Sequence, residues 1–530
     1  MKRKAFSLFM AGTLAFGCLG MPVYAADGNV LDVAQGEDIT TLDVMQTSND
    51  YLVPMNVFDR LFEVKVLDDG NTEIDGSLCT DYEVSDDGLT YTFTLRDGVK
   101  FSNGEDFTAE DVEYTFMHLL SPESQNADIA LEIKGAQDFM NGKTDKIEGI
   151  SVDSDNQISI TLEAPNAGFV AELTSPAISI IDKTTVEKAT NYGIDVNESI
   201  GTGPYVVTEW ANNDHITLVR NESYWGEKPS VDTCIIHIVP DASTQNLMYQ
   251  NGELDIIDLD GLDSSIVSST YETQYADKLV SKDRLSLTYM MMNENNEFLS
   301  DPVVRQAIQM SIDRQGILDS VYGGKGHLEN GIIPKGILGH NDNGTEIKYD
   351  PDGAKKLLED AGYKDGDISF ELAYDSSTGA NPQMVDQIIQ QQLKAVGINV
   401  EIKTYDQSSW LAARKAGELD SYTGTWTMDY NDPANIMATF FGSTDNTVLR
   451  SDNYANTEII DRVAAASSIV DDDERYAEYQ DLEEQIVHKD FAWVPMYALS
   501  HTFAIGDEVK SFVPHWAGYS NFYIKDVTMN

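Results

Sequence analysis

Positive charge is scarce in this chain of 530 residues, which has 35 Lys and Arg against 89 Asp and Glu and a formal net charge of −54. A surface this acidic repels phosphate groups and anionic lipid head groups, and it keeps a protein in solution. The composition therefore argues against nucleic acid as a partner. It favours a solvated acidic surface over a specific basic partner.

Long apolar segments are absent after the N-terminal region. Lys2–Lys4 supply positive charge, an apolar stretch runs from Ala5 to about Leu19, and Val23–Ala25 ends it with small residues, as in a secretory signal peptide. The apolar stretch is shorter than the roughly 20 residues that span a bilayer. We therefore expect residues 1–25 to be a signal peptide and the protein to be exported, either periplasmic or associated with the cell surface.

Cysteine is rare, with only three residues in the chain. Cys18 ends the apolar stretch and is a candidate for a lipid anchor, but Phe16 is larger than lipoprotein signals prefer, so we expect cleavage after Ala25 without lipid. Cys79 and Cys234 remain after that cleavage. In an oxidising compartment they would form one disulfide or stay as two reduced core residues, and the sequence leaves both open.

Linkers rich in proline or serine are also absent. The length predicts several domains, because single cores stop growing at about 250 to 300 residues. Domains without linkers are interwoven, with the chain crossing between them more than once.

Alternating apolar residues predict strands in the first half of the chain, at Tyr91–Leu95, Ile158–Leu162 and Ile216–Val219.

Helical patterns dominate the second half. Asp350 and Pro351 predict the start of a helix that ends at Gly362. A second helix is predicted over Gln383–Val396, between strands at Ser369–Ala373 and Ile398–Ile402. Because a strand, helix and strand in this order form a parallel crossover, we predict an α/β or mixed α+β fold.

Motifs for catalysis, metals and cofactors are missing. The eight histidines are scattered without the spacing of metal ligands, and neither HExxH nor GxSxG occurs. Gly201–Pro204 lacks the third glycine of a dinucleotide loop, and Gly323–Gly326 lacks the Ser or Thr of a phosphate loop. Asp153–Gln157 starts like a calcium loop but predicts a hairpin turn, since Ile158 stands where that loop has its glycine and Ala164 where it has its glutamate ligand. We expect no cofactor, no metal site and no catalytic residue.

Several segments together resemble the oligopeptide, dipeptide and nickel type of solute-binding protein of bacterial ABC importers. They occur in the order of that family and cover the chain from about Val30 to its C-terminus. These segments are Leu95–Gly104 with Thr108–Val112, Gly201–Tyr205, Arg220–Gly226, Asn251–Asp255, Asp301–Arg314, Leu357–Gly362, Val396–Val400 and Trp426–Pro433.

This resemblance implies two lobes that close over a solute, with an extra subdomain on the first lobe. By analogy, lobe I comprises 27–68, 196–283 and 500–530, the extra subdomain 69–195, and lobe II 284–499. The crossings near 284 and 499 would form a hinge, and closure around ligand would give the importer a loaded shape to recognise.

The resemblance also implies a function: capture of peptides, with oligopeptides as the expected class, by a monomer that delivers them to ABC permease subunits with a cytoplasmic ATPase. In similar peptide binders the carboxylate at the position of Asp429 takes the peptide amine, and the preceding backbone pairs with the peptide. The candidate ligand-binding residues are therefore Asp429, Trp426, Thr425, Thr427, Ser48, Asn49 and Tyr289. Alternatively, Asp429 caps the segment before Asp432 and Pro433, and Trp426 and Tyr289 are core aromatics.

Two departures from the family pattern affect the ligand. Strict dipeptide binders carry an arginine for the peptide carboxylate near Tyr374–Pro382, where this chain has no basic residue, so a dipeptide-only pocket is not expected. Thr425 stands where the family often has glycine, and its side chain would narrow one ligand subsite. A nickel chelate, haem or a sugar remains an alternative ligand, and an exported hydrolase remains an alternative class of protein.

Overall fold

The computed structural model of the protein describes residues 28–47, 51–67 and 72–530. The predicted signal peptide, the lipidation question at Cys18, and the candidate residues Ser48 and Asn49 lie outside these ranges. Within them, no helix has both the length and the apolar character needed to cross a membrane.

The secondary structure alternates between strands and helices along the whole described chain. The strands are β1 (Val30–Gln35), β2 (Phe62–Val66), β3 (Thr72–Gly76), β4 (Cys79–Val84), β5 (Thr90–Leu95), β6 (Ile150–Ser154), β7 (Gln157–Thr161), β8 (Tyr205–Ala211), β9 (His215–Arg220), β10 (Thr233–Ile238), β11 (Ile256–Asp258), β12 (Leu279–Asp283), β13 (Ser286–Met292), β14 (Gly326–Leu328), β15 (Ile368–Asp375), β16 (Ile398–Tyr405), β17 (Ser421–Thr427), β18 (Trp493–Ile505), β19 (Val509–Ser511) and β20 (Thr528–Met529). The helices are α1 (Leu52–Val57), α2 (Ala109–Leu119), α3 (Ala136–Met140), α4 (Phe169–Glu172), α5 (Lys183–Lys188), α6 (Ala242–Gln250), α7 (Ser264–Ile266), α8 (Glu272–Gln274), α9 (Pro302–Ser311), α10 (Arg314–Tyr322), α11 (Pro351–Asp360), α12 (Ala380–Ala395), α13 (Gln407–Lys415), α14 (Ala434–Phe441), α15 (Thr444–Leu449), α16 (Thr457–Ala466) and α17 (Asp472–His488).

One large mixed sheet runs through the molecule in the strand order β16-β15-β17-β13-β18-β11-β1-β10-β9-β8, with β12 and β14 also paired to β18. The long strand β18 joins its two halves. The beginning of β18, Trp493–Tyr497, pairs with β13. Its end pairs with β11 and β12. The chain also passes from one half to the other between Asp283 in β12 and Ser286 in β13.

The two halves of the sheet centre on different hydrophobic cores. One core includes Leu31 of β1 and Ile216 of β9, and it extends to Phe93 in an antiparallel four-stranded sheet of order β4-β5-β7-β6. The other half has cores around Trp493 and around Ile389 of α12, and Val64 of β2 and Trp516 near the C-terminus also pack into the core around Trp493. We call the half with β1 and β8 to β12 the first lobe and the half with β13 to β17 the second lobe. The exact lobe boundaries given above remain predictions.

The predicted crossover in the second lobe is confirmed. Strands β15 and β16 are parallel, from Ile368 paired with Ile398 to Asp375 paired with Tyr405, and α12 connects them. The other predicted helix is confirmed as α11, where the Asp350 side chain accepts a hydrogen bond from the Gly353 N–H. It stops before Gly362, which takes a φ of +95° that disfavours other residues. The mixed α/β class is therefore confirmed.

Local expectations in the first lobe and its extra sheet are confirmed as well. The segment Asp153–Gln157 forms the turn of the antiparallel β6–β7 hairpin. Cys79 and Cys234 are buried and unbridged, so the structure has the reduced alternative. Burial raises the pKa of the Cys79 thiol to about 11.

Candidate functional site

Strand β17 has a free edge. On one side it pairs with β13 along its whole length, from Ser421 opposite Met292 to Thr427 opposite Ser286. On the other side β15 reaches it only at Ser421. Among the described strands, none therefore pairs with the N–H and C=O groups on this side of β17 beyond that point.

A cavity of about 640 Å³ lies between the two lobes beside the end of β17. We call it the cleft cavity. Its walls come from both lobes and from the extra subdomain. They include Tyr51 next to α1, Asp128, Glu172 of α4, Trp426 of β17, Asp429 and Tyr519 near the C-terminus.

Asp429 lies in the cleft cavity without an ion-pair partner among the described residues. Its Oδ2 accepts a hydrogen bond from Nδ2 of Asn435 at 3.2 Å. Solvent reaches the side chain through the cavity, yet protein surrounds it on most sides. This surrounding protein raises the pKa of Asp429, the nearby charge of Asp128 adds to the effect, and the hydrogen bond from Asn435 opposes it.

The helix-cap alternative for Asp429 is met only in part. Asp432 Oδ1, not Asp429, accepts the hydrogen bond from the Ala434 N–H at the start of α14, at 2.9 Å. Asp429 contacts the first turn of that helix through the Asn435 side chain, and its carboxylate also lines the cavity.

Acidic side chains outnumber basic ones in the described lining of the cleft cavity. Its described lining has four carboxyl side chains, Asp128, Glu132, Glu172 and Asp429, against one guanidinium, that of Arg450. The Asn166 amide donates hydrogen bonds to Glu132 Oε2 at 2.8 Å and to Glu172 Oε1 at 3.0 Å. Burial raises the pKa of both glutamates, most strongly that of Glu172. Carboxyl groups buried in this way favour a ligand group of positive charge, because such a group stabilises their ionised form.

Trp426 stands between the cleft cavity and a second cavity. Its indole Nε1 donates to Asn435 Oδ1 at 2.8 Å, and the guanidinium of Arg450 lies 5.0 Å from its ring centre. The ring is half-buried at the edge of a second-lobe core. Trp426 therefore packs against the core with part of its ring and also lines both cavities.

The second cavity, of about 470 Å³, lies within the second lobe, and we call it the inner cavity. Thr425 lines it, with Oγ1 at 2.9 Å from Thr288 Oγ1. Tyr289 also lines it, although its ring is buried and stacks on Trp493 with 4.0 Å between centroids. Thr427 is not among the residues that line either cavity. Ligand contact by these side chains remains a prediction.

Two functional candidates were missed by the sequence analysis. The segment Tyr374–Pro382 does line the inner cavity and has no basic residue, but Arg414 of α13 and Arg450 after α15 point into the same space. No local sequence motif marks either arginine. Only the packing of α13 against α15 and β15 brings them together.

A group of potential metal ligands lies elsewhere, where β11 meets β18. Ligand atoms of Asp258, Asp260 and His501 are within 4.8 Å of one another. Arg284 forms an ion pair with Asp260 and already supplies positive charge to this group. We interpret this arrangement as an ion-pair network next to the chain segment that links β12 to β13.

A family model described as bacterial extracellular solute-binding proteins, family 5, middle region, matches residues 73–448. Haem-binding protein A of Haemophilus influenzae is 29% identical over 486 residues, which are 88% of this chain and 86% of that protein. The dipeptide-binding protein of Escherichia coli K12 is 28% identical over 485 residues, 88% of each chain. Both relatives are named for binding and neither for catalysis.

The solved structure of the periplasmic binding protein DppA of Helicobacter pylori in complex with the peptide STSA is also similar. It aligns with a TM-score of 0.71 and 27% identity, covering 95% of this chain and 98% of that chain. The predicted architecture, two lobes with an extra subdomain on the first, is thereby confirmed.

Proposed function

The chain belongs to the bacterial extracellular solute-binding proteins of family 5, and from that premise we propose that it captures peptides outside the cytoplasmic membrane for an ABC importer. In this proposal it acts as a monomer, by binding rather than catalysis, and hands its ligand to the permease subunits. Relatives named for dipeptides and a neighbour solved with a peptide support this choice of ligand.

The observation that carries the proposal is the free edge of β17 next to the carboxylate of Asp429, which has no ion-pair partner among the described residues. An extended peptide adds to such an edge by pairing its main chain, and this pairing is independent of side chains. Its N-terminal ammonium needs an opposite charge when it leaves water. Asp429 supplies that charge where the edge ends.

Haem or a nickel chelate is the rival ligand, because a relative is named for haem. Proteins commonly hold nickel and haem iron through imidazole or thiolate groups. The described residues that line the two cavities include neither His nor Cys, whereas carboxylates are abundant. These side chains support an amine-bearing ligand. A screen by native mass spectrometry with mixed peptides, haemin and nickel with histidine compares the candidates directly.

The central test is Asp429→Asn, which keeps the shape of the side chain and removes its charge. A peptide with a free amine is expected to lose roughly 2 kcal/mol or more on this change, about thirtyfold in affinity. An N-acetylated peptide lacks the ammonium, so it should bind poorly to the wild type and lose little more in the variant. Calorimetric titration of the four combinations gives the coupling energy.

Asp128→Asn is the matched control, since it removes one negative charge from the same cavity without touching β17. We expect a clearly smaller loss from it. Equal losses for free and acetylated peptides on Asp429→Asn would contradict the amine site. Capture of haemin or nickel, with no peptide bound, would contradict the proposed function itself.

A further inference from the structure

Two glutamate side chains lie together in the wall of the cleft cavity. Glu132 precedes α3, Glu172 is the last residue of α4, and both line the cavity. One amide group holds them in place, since Nδ2 of Asn166 donates to Glu132 Oε2 at 2.8 Å and to Glu172 Oε1 at 3.0 Å. We call Glu132 and Glu172 the carboxyl pair.

The neighbours of Asn166 fix the direction of its amide. Its Oδ1 accepts a hydrogen bond from the Gly168 N–H at 2.9 Å, and its main-chain carbonyl accepts one from the Tyr91 hydroxyl at 2.6 Å. The oxygen of the amide is therefore occupied, and the two hydrogens of Nδ2 are directed at the carboxyl pair. This support holds the pair in one geometry, as a preformed part of the cavity wall.

The two carboxyls are hydrogen-bonded to each other as well as to Asn166. A hydrogen bond between two carboxyls requires a proton on one of them. Burial raises the pKa of Glu172, the neighbouring carboxyl of Glu132 raises it further, and the charge of Asp432 adds to the effect. The carboxyl pair therefore shares a proton when the cavity holds no cation.

The groups that face the carboxyl pair supply no free positive charge. Tyr91 of β5, Tyr430 and Tyr479 of α17 present phenols to it, and Asp432 is itself acidic. Arg475 of α17 is the nearby cation, and it pairs with Asp432 at 2.7 Å. Among the described residues, no Lys, Arg or His forms an ion pair with the carboxyl pair. A counter-charge must then come from outside the protein.

We infer that the carboxyl pair binds a basic side chain, of lysine or arginine, close to the N-terminus of the captured peptide, an inference that rests on the proposed function. Tyr430 relates the pair to the amine site, because it follows Asp429 in the chain and its phenol is affected by the charges of both Asp429 and Glu172. A peptide with its amine at Asp429 therefore brings the side chains of its first residues to the carboxyl pair.

Binding of a basic side chain releases the shared proton. Before binding, one proton serves the two carboxyls. An ammonium or guanidinium stabilises the ionised form of both, so the proton passes to the buffer and the net charge of the site stays the same. A neutral side chain of the same length leaves the proton in place. Proton release thus separates a contact with the carboxyl pair from the general attraction of a cation to an acidic protein.

The test compares peptides that differ in a single charge. Randomised tripeptides to pentapeptides carry either lysine or norleucine at the first or second position, and they are offered to the full mature protein and quantified by native mass spectrometry. At one of these positions we expect lysine to give binding at least about tenfold tighter than norleucine. Calorimetric titration of single captured peptides, in two buffers with different heats of ionisation, should show release of about one proton with lysine and none with norleucine.

Glu172→Gln has the shape of a protonated glutamate, because its carbonyl still accepts from Asn166 and its NH2 group donates to Glu132. The lysine preference should fall to within about threefold and proton release should disappear in this variant. The preference for free over acetylated amines should persist, which also shows that the cleft is folded. Glu132→Gln should give the same result from the other partner.

Glu123→Gln is the matched control. It makes the same change of charge at an exposed residue that lines neither cavity. The lysine preference, the proton release and the preference for free amines should all stay as in the wild type.

Each outcome decides between the two proposals. Equal capture of lysine and norleucine peptides by the wild type, with a free amine still required, would overturn the basic subsite and leave the peptide function standing. A lysine preference without proton release, or one that survives both Glu172→Gln and Glu132→Gln, would place the basic side chain elsewhere and overturn the subsite too. Capture of no peptide would overturn the peptide function and this subsite together.

Discussion

His515 is a buried imidazole in the C-terminal segment that carries Tyr519 into the cleft cavity. Its Nδ1 accepts a hydrogen bond from the Ala517 N–H at 3.2 Å, and its ring lies 5.1 Å from that of Tyr519. Burial lowers the pKa of His515 to about 3, and the positive charge of Arg60 contributes to the same effect. The folded protein therefore keeps this imidazole neutral down to strongly acidic pH.

This lowered pKa predicts a pH-dependent loss of stability. In the unfolded chain His515 has a pKa of about 6.5, so between pH 6.5 and about 3 the unfolded state binds a proton that the folded state refuses. The free energy of unfolding then falls with decreasing pH by about 1.4 kcal/mol per pH unit from this group alone. Above pH 6.5 the imidazole is neutral in both states, so His515 causes no loss of stability there.

His515→Asn isolates this contribution, because asparagine keeps an acceptor for the Ala517 N–H and does not titrate. We expect the stability difference between wild type and variant, from urea unfolding, to shift by roughly 2 kcal/mol in favour of the variant between pH 6 and pH 4. Carboxylates that titrate in the same range affect both proteins equally. If the free energies of unfolding of the two proteins changed with pH in parallel, His515 would have gained its proton in the folded state, which would contradict the prediction.

At the scale of secondary structure, one buried ion pair connects α17 to the segment that carries Asp429. Nη1 of Arg475 donates to both carboxylate oxygens of Asp432, at 2.9 and 2.7 Å, and each side chain is only 2% exposed. Asp432 also accepts a hydrogen bond from the N–H of Ala434, the first residue of α14. The pair thus fixes the turn between β17 and α14.

Arg475→Met is expected to destabilise the protein by roughly 3 to 5 kcal/mol, because it leaves the Asp432 carboxylate buried without a counter-charge. Adding Asp432→Asn should recover much of this loss, since the amide is neutral and still accepts from Ala434. Denaturant unfolding of the single and double variants measures both effects. A double variant no more stable than Arg475→Met would mean that packing around the arginine, and not the unpaired charge, causes the loss.

The elements differ in how far the sequence predicts them. The unit of β15, α12 and β16 and the start of α11 at Asp350 follow from neighbouring residues, because apolar period, caps and glycine stops are local signals. Asp429 was found through a family resemblance of its segment. The convergence of Arg414 and Arg450 was not predicted, since it depends on how α13 packs against α15, which is distant in the sequence. The stacking of Tyr289 on Trp493 also depends on a long-range contact, the pairing of β13 with β18.

At the scale of the whole molecule, the two lobes meet through few covalent crossings and several polar contacts. Strand β18 and the passage from Asp283 to Ser286 connect the lobes. Across the cleft, the Tyr519 hydroxyl donates to the Met428 carbonyl at 3.0 Å, and the Ala167 N–H donates to the Ser467 carbonyl at 2.8 Å. Because each lobe centres on its own core, with only a few first-lobe residues such as Val64 and Trp516 packed into the core around Trp493, we expect the lobes to move largely as rigid bodies about these crossings.

Ligand binding is therefore expected to compact the protein. A peptide that bridges Asp429 and the first-lobe wall of the cleft cavity, which includes Tyr51, binds the closed form better than any open form and shifts the population toward it. Small-angle scattering should show a smaller radius of gyration with a saturating captured peptide than without it. Asp429→Asn at the same peptide concentration should show less compaction, because less ligand is bound, and full compaction should return at higher concentration. An unchanged radius in the wild type at proven saturation would contradict hinge closure, while leaving the binding site itself intact.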